Sequence, residues 1–239
     1  MKEKYSICSE KTNCTVEALA SELGVSEVTI RRDLKKLDGE ELLHRCHCGA
    51  ASRNYSDTKV PSILVRENYN VVPRRNVASK AVALIQRKST IFIDSSSTCL
   101  CLAGFLTPEM ELTVVTNSLH LAEELMGKHI LVYCLAGKYY EYAKAVFGEY
   151  AEESVGAFRF DMAFLASRGI IPGDAAYDTN EHEASLWRKC IKQSDRVAFL
   201  CLSAKIGKRY AMRSYSTSFI DDFVCENEES ERILRNGQN

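Results

Sequence analysis

The sequence predicts two domains of different class: an N-terminal all-α module of helix-turn-helix type, and a C-terminal α/β domain built on a parallel sheet. Three observations carry this. Two short amphipathic segments meet at Gly24, and the second holds Arg31, Arg32, Lys35 and Lys36 within six positions. The stretch 54–75 is polar, contains two of the four prolines and reads as a linker. Beyond it, short continuous apolar runs alternate with helical segments, the pattern of parallel strands covered on both faces. The expected division is 1–53, linker 54–75, α/β domain 76–225 and a polar, frayed tail 226–239.

In the first segment Val16, Leu19, Ala20 and Leu23 fall at i, i+3, i+4 and i+7, one apolar helical face. Thr15 is placed to cap its N-terminus, and Gly24 follows where a helix end favours positive φ. Val25 packs beneath the turn. Ser26 is the next N-cap, with Thr29 at the capping-box position. Ile30, Leu34 and Leu37 form the buried face of the second helix. Val28, Arg32 and Lys35 point nearly opposite Ile30, and Thr29, Arg31 and Lys36 lie on the flanks. That outward surface is basic and hydroxylic, as phosphate and base-edge contacts require. By spacing alone, the pattern also describes a helical hairpin with a solvated charged face, diluted by Glu27 and Asp33.

The residues go further than the spacing. GVSEVTIRRDLKKL followed by LLHRCHCGAA resembles the DNA-binding module of the DeoR/GlpR family of bacterial sugar-metabolism repressors. That family carries a TIRRDL signature on its recognition helix and then a wing with an arginine and a His-Gly-Gly-Ala turn. Thr29 to Leu34 match the signature in full, and Arg45, His47, Gly49 and Ala50 match the wing. The resemblance implies a winged helix-turn-helix that contacts DNA through Ser26, Val28, Thr29, Arg31, Arg32, Lys35, Lys36, Arg45 and His47. Two departures stand out. Cys48 replaces the first wing glycine, which is strained if the position takes positive φ. The segment before Thr15, where a first helix is expected, has only Tyr5, Ile7 and Cys8 as apolar residues between Met1 and Cys14.

Composition bounds the rest. The 239 residues carry a net charge of −1, so no global field draws the chain to nucleic acid and any attraction must be local. No apolar run approaches the ~20 residues of a membrane span, and no signal-peptide core opens the chain, so a cytoplasmic, membrane-free protein is expected. Of the ten cysteines, the close pairs Cys46/Cys48 and Cys99/Cys101 lack the two-residue gap of zinc knuckles. His44 and His47 beside Cys46 and Cys48 are the best remaining zinc candidate, but the wing explains the same positions. No metal or cofactor is expected, and most other cysteines read as small core residues.

In the α/β half, helices are expected over Val77–Ile85, Thr98–Leu106, Leu119–Met126 and Glu181–Ile191. Strands are expected over Ile91–Ile93, Leu112–Val115, Ile130–Leu135, Met162–Leu165 and Val197–Leu202. Ligands of such sheets bind beyond the strands' carboxyl ends. Those ends read Asp94-Ser95-Ser96-Ser97-Thr98, Thr116-Asn117-Ser118, Ala136-Gly137-Lys138, Ala166-Ser167-Arg168-Gly169 and Ser203-Ala204-Lys205. A single hydroxyl there is commonly just a helix cap. Recurrence of hydroxyls, small residues and cations at all of them favours a phosphate-bearing ligand.

The resemblance to the DeoR family extends over about Thr15 to Val224, and it implies a sensor domain with a fold akin to ribose-5-phosphate isomerase. Asp94 to Thr98 correspond to that family's Asp-Ser/Ala-Gly-Ser/Thr-Thr loop, an implied effector-phosphate cradle. Thr116-Asn117, Gly148, Asp161, Phe164 and Ser203-x-Lys205-x-Gly207 match further motifs. Strand ends and resemblance together give the effector set Asp94, Ser95, Ser96, Ser97, Thr98, Thr116, Asn117, Ser118, Gly137, Arg168, Gly169 and Lys205. Ser96, Ala136 and Leu202 depart from the family's glycine, glycine and aspartate, and an apolar Leu202 accepts no sugar hydroxyl. The implied protein is a regulator, a repressor of a carbohydrate-utilisation operon. It would bind operator DNA as a homodimer or homotetramer and be controlled by a small phosphorylated sugar. Two alternatives stay open: an isomerase-like enzyme recruiting Asp94, Asp161 and Lys205, and a degenerate regulator with weakened DNA binding.

Overall fold

A computed structural model of the chain describes residues 13–39, 43–46, 49–52, 63, 66 and 70–237, with backbone alone at 13, 14, 38, 39, 43–46 and 49–52. The chain divides into two compact units, Met1–Asn70 and Val71–Asn239.

The N-terminal unit runs β1 (Asn13–Thr15), α1 (Val16–Leu23), α2 (Glu27–Gly39), β2 (Leu43–Cys46) and β3 (Gly49–Ser52). Thr15 caps α1, its hydroxyl accepting the Ala18 N–H at 3.0 Å. Gly24 ends the helix at φ 60°, ψ 33°, the left-handed conformation that glycine adopts without a Cβ penalty. Val16, Leu19, Ile30, Leu34 and Leu37 close a core between the two helices, with Ala20, Leu23 and Val25 packed on it, as their spacing requires. β2 and β3 pair antiparallel and β1 adds to the outer side of β3, so the wing is a three-stranded sheet. Asn13 and Cys14, expected to continue a first helix, are therefore strand. The rest of that expected helix, together with His47 and Cys48, lies outside the described residues.

The second unit begins with α3 (Val71–Ala81), which starts inside the stretch read as linker and six residues before the expected Val77. Pro73 obscured it in the sequence, yet proline is tolerated in a first helical turn. There follow β4 (Thr90–Ile93), β5 (Thr113–Thr116), α4 (Leu119–Met126), β6 (Leu131–Cys134), β7 (Lys138–Tyr140), β8 (Ala145–Phe147) and α5 (Glu149–Val155). Then come β9 (Met162–Leu165), β10 (Gly169–Ile171), β11 (Ala175–Asp178), α6 (Glu181–Lys192), β12 (Val197–Cys201), β13 (Met212–Ser216), β14 (Asp222–Cys225) and α7 (Glu228–Asn236). The helix expected at Thr98–Leu106 is a short 3₁₀ segment, Leu100–Gly104. The polar end from Glu226 is not frayed: α7 buries Ser230 and Leu234, and Asn227 caps it by accepting the Ser230 N–H at 2.9 Å.

β14-β12-β9-β4-β5-β6 form one parallel sheet. β9 and β12 are buried along their whole length, which is why their sequences, MAFL and VAFLC, are continuously apolar. Phe92, Phe147, Phe160, Trp187, Phe199 and Phe223 anchor the core. From β4 the chain steps outward to β5 and β6, then returns to place β9, β12 and β14 on the other side. The β4/β9 seam is thus the point where strand order reverses, and a crevice opens at the carboxyl ends of such a pair.

Candidate DNA-binding and effector-binding sites

α2 presents its outward face as read from the sequence. Val28 is 76% exposed, and the Arg32 side chain 79%, with its Nε 3.7 Å from Asp33. Lys35 and Lys36 are exposed as well. Val28, Arg32 and Lys35 stack at i, i+4 and i+7, one stripe along the helix. Arg31 lies beside it, its guanidinium 3.0 Å from the Glu27 carboxylate one turn earlier. Ser26 and Thr29 form a hydroxyl capping box: Ser26 Oγ accepts the Thr29 N–H at 3.3 Å, and the two hydroxyls sit 3.0 Å apart. Both residues therefore also shape the helix start. Arg45 lies on β2 opposite Ala50, in the two-stranded wing hairpin. The stripe is an apolar side chain followed by two cations, suited to a thymine methyl and to guanine or phosphate oxygens.

In the second unit the loops after β4, β5, β9 and β12 are bonded to one another around the β4/β9 seam, while the loop after β6 packs on β8 and α5. Asp94 is buried, and its two carboxylate oxygens accept the N–H groups of Ser96 at 2.7 Å and Ala166 at 2.8 Å. It ties the loop after β4 to the end of β9. Burial raises its pKa above the usual carboxylate range, against the lowering pull of those hydrogen bonds. Cys99 packs beside it, and burial together with the Asp94 charge pushes that thiol well up. Ser96 Oγ accepts the Cys99 N–H at 3.2 Å and starts the 3₁₀ turn. Ser95 Oγ accepts from the Asn117 amide at 3.1 Å, and that amide also donates to the Val146 carbonyl at 3.3 Å. Thr116 donates to the Ile93 carbonyl at 2.7 Å, accepts the Ser118 N–H at 3.0 Å, and Ser118 in turn caps α4.

Across the seam, Lys205 Nζ donates to the Ser167 carbonyl at 2.6 Å, while Ser167 Oγ donates to the Gly169 carbonyl at 2.7 Å. Arg168 gives its backbone N–H and its Nε to the Asp178 carboxylate, each at 3.1 Å. The pair is largely withdrawn from water, with side chains 21% and 3% exposed. Gly169 passes so close to the next loop that a Cβ there would lie 2.3 Å from the Lys208 carbonyl oxygen. Gly137 sits at φ +143°, where a Cβ would lie 2.9 Å from the Phe147 oxygen. Two buried side-chain oxygens at these ends, Thr98 Oγ1 and Asn117 Oδ1, have no hydrogen-bond partner. Buried polar atoms are nearly always satisfied, so each of these oxygens has bonding capacity that the protein's own groups do not use. Ser97 is buried in the same loop.

The sequence reading missed two contributors. Asp178, on β11, orients Arg168. Glu226, just past β14, accepts the Ser203 N–H at 2.9 and 3.0 Å and the Ser203 hydroxyl at 2.5 Å. It supplies a carboxylate to the loop whose expected one is replaced by buried Leu202. Asp161, by contrast, is not at this site: it accepts the Thr90 N–H at 2.7 Å at the amino end of β4, a strand length from Asp94. No group of three or more His, Cys, Asp or Glu placed to hold a metal occurs among the described residues. No helix among them is long and apolar enough to cross a membrane.

A basic helix-turn-helix with a wing, joined to an α/β unit with buried polar strand ends, defines the class: a DNA-binding transcriptional regulator with a sensor domain. Residues 7–55 match the DeoR-like helix-turn-helix domain, and residues 69–227 match the DeoR C terminal sensor domain. The chain belongs to the DeoR family. It is 33% identical to the HTH-type transcriptional regulator YulB of Bacillus subtilis, over 85% of this chain and 78% of that one. It is 32% identical to the L-fucose operon activator of Haemophilus influenzae, over 84% and 80% of the respective chains. It is 31% identical to the lactose phosphotransferase system repressor of Staphylococcus epidermidis, over 95% and 85%. A D-ribose-5-phosphate isomerase solved with phospho-erythronic acid overlays at TM-score 0.42 and 12% identity, on 56% of this chain and 52% of that one.

Proposed function

We propose that the protein represses a carbohydrate-utilisation operon and leaves its operator when a phosphorylated sugar fills the crevice at the β4/β9 seam. The observation that carries this reading is buried Asp94 tying the loops after β4 and β9 together, with buried Thr98 and Asn117 oxygens left unpartnered in the loops after β4 and β5. Ser95, Ser97, Thr98, Asn117, Arg168 and Lys205 would meet the phosphate and hydroxyls. Asp94, Ser96, Thr116, Ser118, Gly137 and Gly169 would hold the loops in place. On DNA, Arg32 and Lys35 would enter the groove with Val28 against a thymine methyl. Arg31, Lys36 and Arg45 would take phosphates, with His47 on the wing and Ser26 and Thr29 at the helix start. Relatives named as repressor and as activator both occur, so the sign of regulation is part of the proposal.

The assembly would be a homodimer or homotetramer acting in the cytoplasm, because two modules on one two-fold axis read a palindrome. Sugar phosphate would shift the population of DNA-competent arrangements. Selection of operator sequences by the purified protein, repeated with a panel of sugar phosphates, tests both halves. Enrichment of a palindrome that one sugar phosphate abolishes is expected; an unenriched pool overturns the reading. Isomerase chemistry needs a free carboxylate base beside the phosphate. Both Asp94 oxygens accept backbone N–H groups, Asp178 holds Arg168, Glu226 holds Ser203 and Asp161 lies at the far end of the strand, so no turnover of ribose 5-phosphate is expected.

A further inference from the structure

β6 closes the parallel sheet on one side, and no described strand pairs with its outer edge. The segment 130–137, Ile-Leu-Val-Tyr-Cys-Leu-Ala-Gly, holds no charge and no proline. Leu131 is 56% exposed and Tyr133 47%, and Cys134 is exposed too. Soluble proteins usually blunt such an edge with charges, prolines or bulges, because its unpaired N–H and C=O groups template a further strand. None of these devices is present on β6.

The direction of the free groups follows from one bond. Leu135 donates its N–H to the Thr116 carbonyl of β5 at 2.9 Å. Backbone polar groups alternate sides along a strand, so Leu131 and Tyr133 also turn inward while Val132 and Cys134 turn outward. We infer that β6 is the interface to a second copy of this chain, paired antiparallel about a two-fold axis at Tyr133. An antiparallel edge is its own complement under that axis, and an uncharged one meets no like-charge repulsion. The register sets Val132 opposite Cys134 of the second copy, so the outward groups exchange both bonds at each pair. Centring on Val132 instead would call on the Ile130 N–H, which already donates to Leu125 at 3.2 Å. At the axis the two Tyr133 residues form a non-hydrogen-bonded pair, Cα atoms ~4.5 Å apart, where aromatic side chains stabilise a sheet. Phe158 already supports the Tyr133 ring, its centroid 5.4 Å away.

The interface gives the proposed regulator's two-fold a location; it rests on that reading for its use on DNA, not for its existence. Sedimentation velocity over rising concentration should give an oligomer for the full chain. Leu131→Lys with Tyr133→Lys should halve its mass with an unchanged far-UV spectrum. If that variant fails to fold, Tyr133→Cys in a Cys134→Ser background gives a second reading. Mild oxidation should join two chains through the introduced thiols, identified by mass spectrometry. A wild-type monomer, a folded lysine variant of undiminished mass, or the lack of that cross-link in an oligomeric chain overturns the inference. A chain that assembles through β6 yet enriches no operator leaves it standing and removes the proposed function instead.

Discussion

The two candidate sites are built on opposite principles. The stripe on α2 holds its side chains out in water, where Arg32 and Lys35 touch little of the protein that carries them. The seam at the sheet's carboxyl ends holds its side chains in, where Asp94, Thr116, Asn117 and Ser118 are all buried and bonded to backbone. Exposed cations supply long-range, salt-screened attraction and add little to folding. Buried polar groups must be satisfied or they cost the fold dearly. Substitutions on the exposed stripe therefore leave the fold intact, whereas substitutions at the buried strand ends act on stability.

The sharpest way to break that contrast is Asp94→Ala. It leaves two buried N–H groups without an acceptor, and a loss of about 3 kcal/mol is expected. The pH dependence carries a sign. Because the folded carboxyl titrates above its unfolded value, its contribution is fully present below the unfolded pKa of 3.8 and is lost as pH rises through the raised folded value. The stability gap between wild type and Asp94→Ala, read by urea denaturation, should therefore be widest in acid and narrow toward neutrality. A gap that widens with pH would reverse the assigned cause.

Next in size, Gly169→Ala forces a Cβ against the Lys208 carbonyl, and about 1–3 kcal/mol of thermal stability should go with it. On the exposed side, Arg32→Ala should weaken operator binding by about 1–3 kcal/mol and leave the melting temperature in place. Lys36→Ala should weaken binding evenly across sequences and reduce the salt slope by about 1, measured by anisotropy at several salt concentrations. The smallest effect belongs to Glu27→Ala. Its pair with Arg31 is half exposed and contributes at most a few tenths of a kcal/mol, so loss of that carboxylate should tighten DNA binding only slightly. A large melting shift from Arg32→Ala would erase the comparison.

The same contrast explains what could be read from the sequence. α1 and α2 were legible because Val16, Leu19, Ile30, Leu34 and Leu37 repeat at helical spacing, and because exposed functional residues are not disguised by packing. The short strands β4, β9 and β12 were legible instead from their continuous apolar runs. The crevice was legible as a set of polar strand ends, but not as a division of labour. Nothing local says that Asp94 serves Ala166, that Asp178 steers Arg168, or that Glu226 accepts from Ser203 next to Leu202. Those pairings are made by the fold, between residues far apart or on different strands. α7 escaped notice because its acidic run hides the face that buries Leu234, and α3 because Pro73 reads as a breaker until it falls in a first turn.

The seam between β4 and β9 also sets a schedule. Asp94 waits for a partner 72 residues further along the chain, and β12 and β14 arrive later still. At a synthesis rate of about 5–20 residues per second, the nascent protein spends several seconds with its helix-turn-helix made and its crevice unfinished. During that interval a ribosome-bound chain carries a reader of DNA with no means of answering to a metabolite.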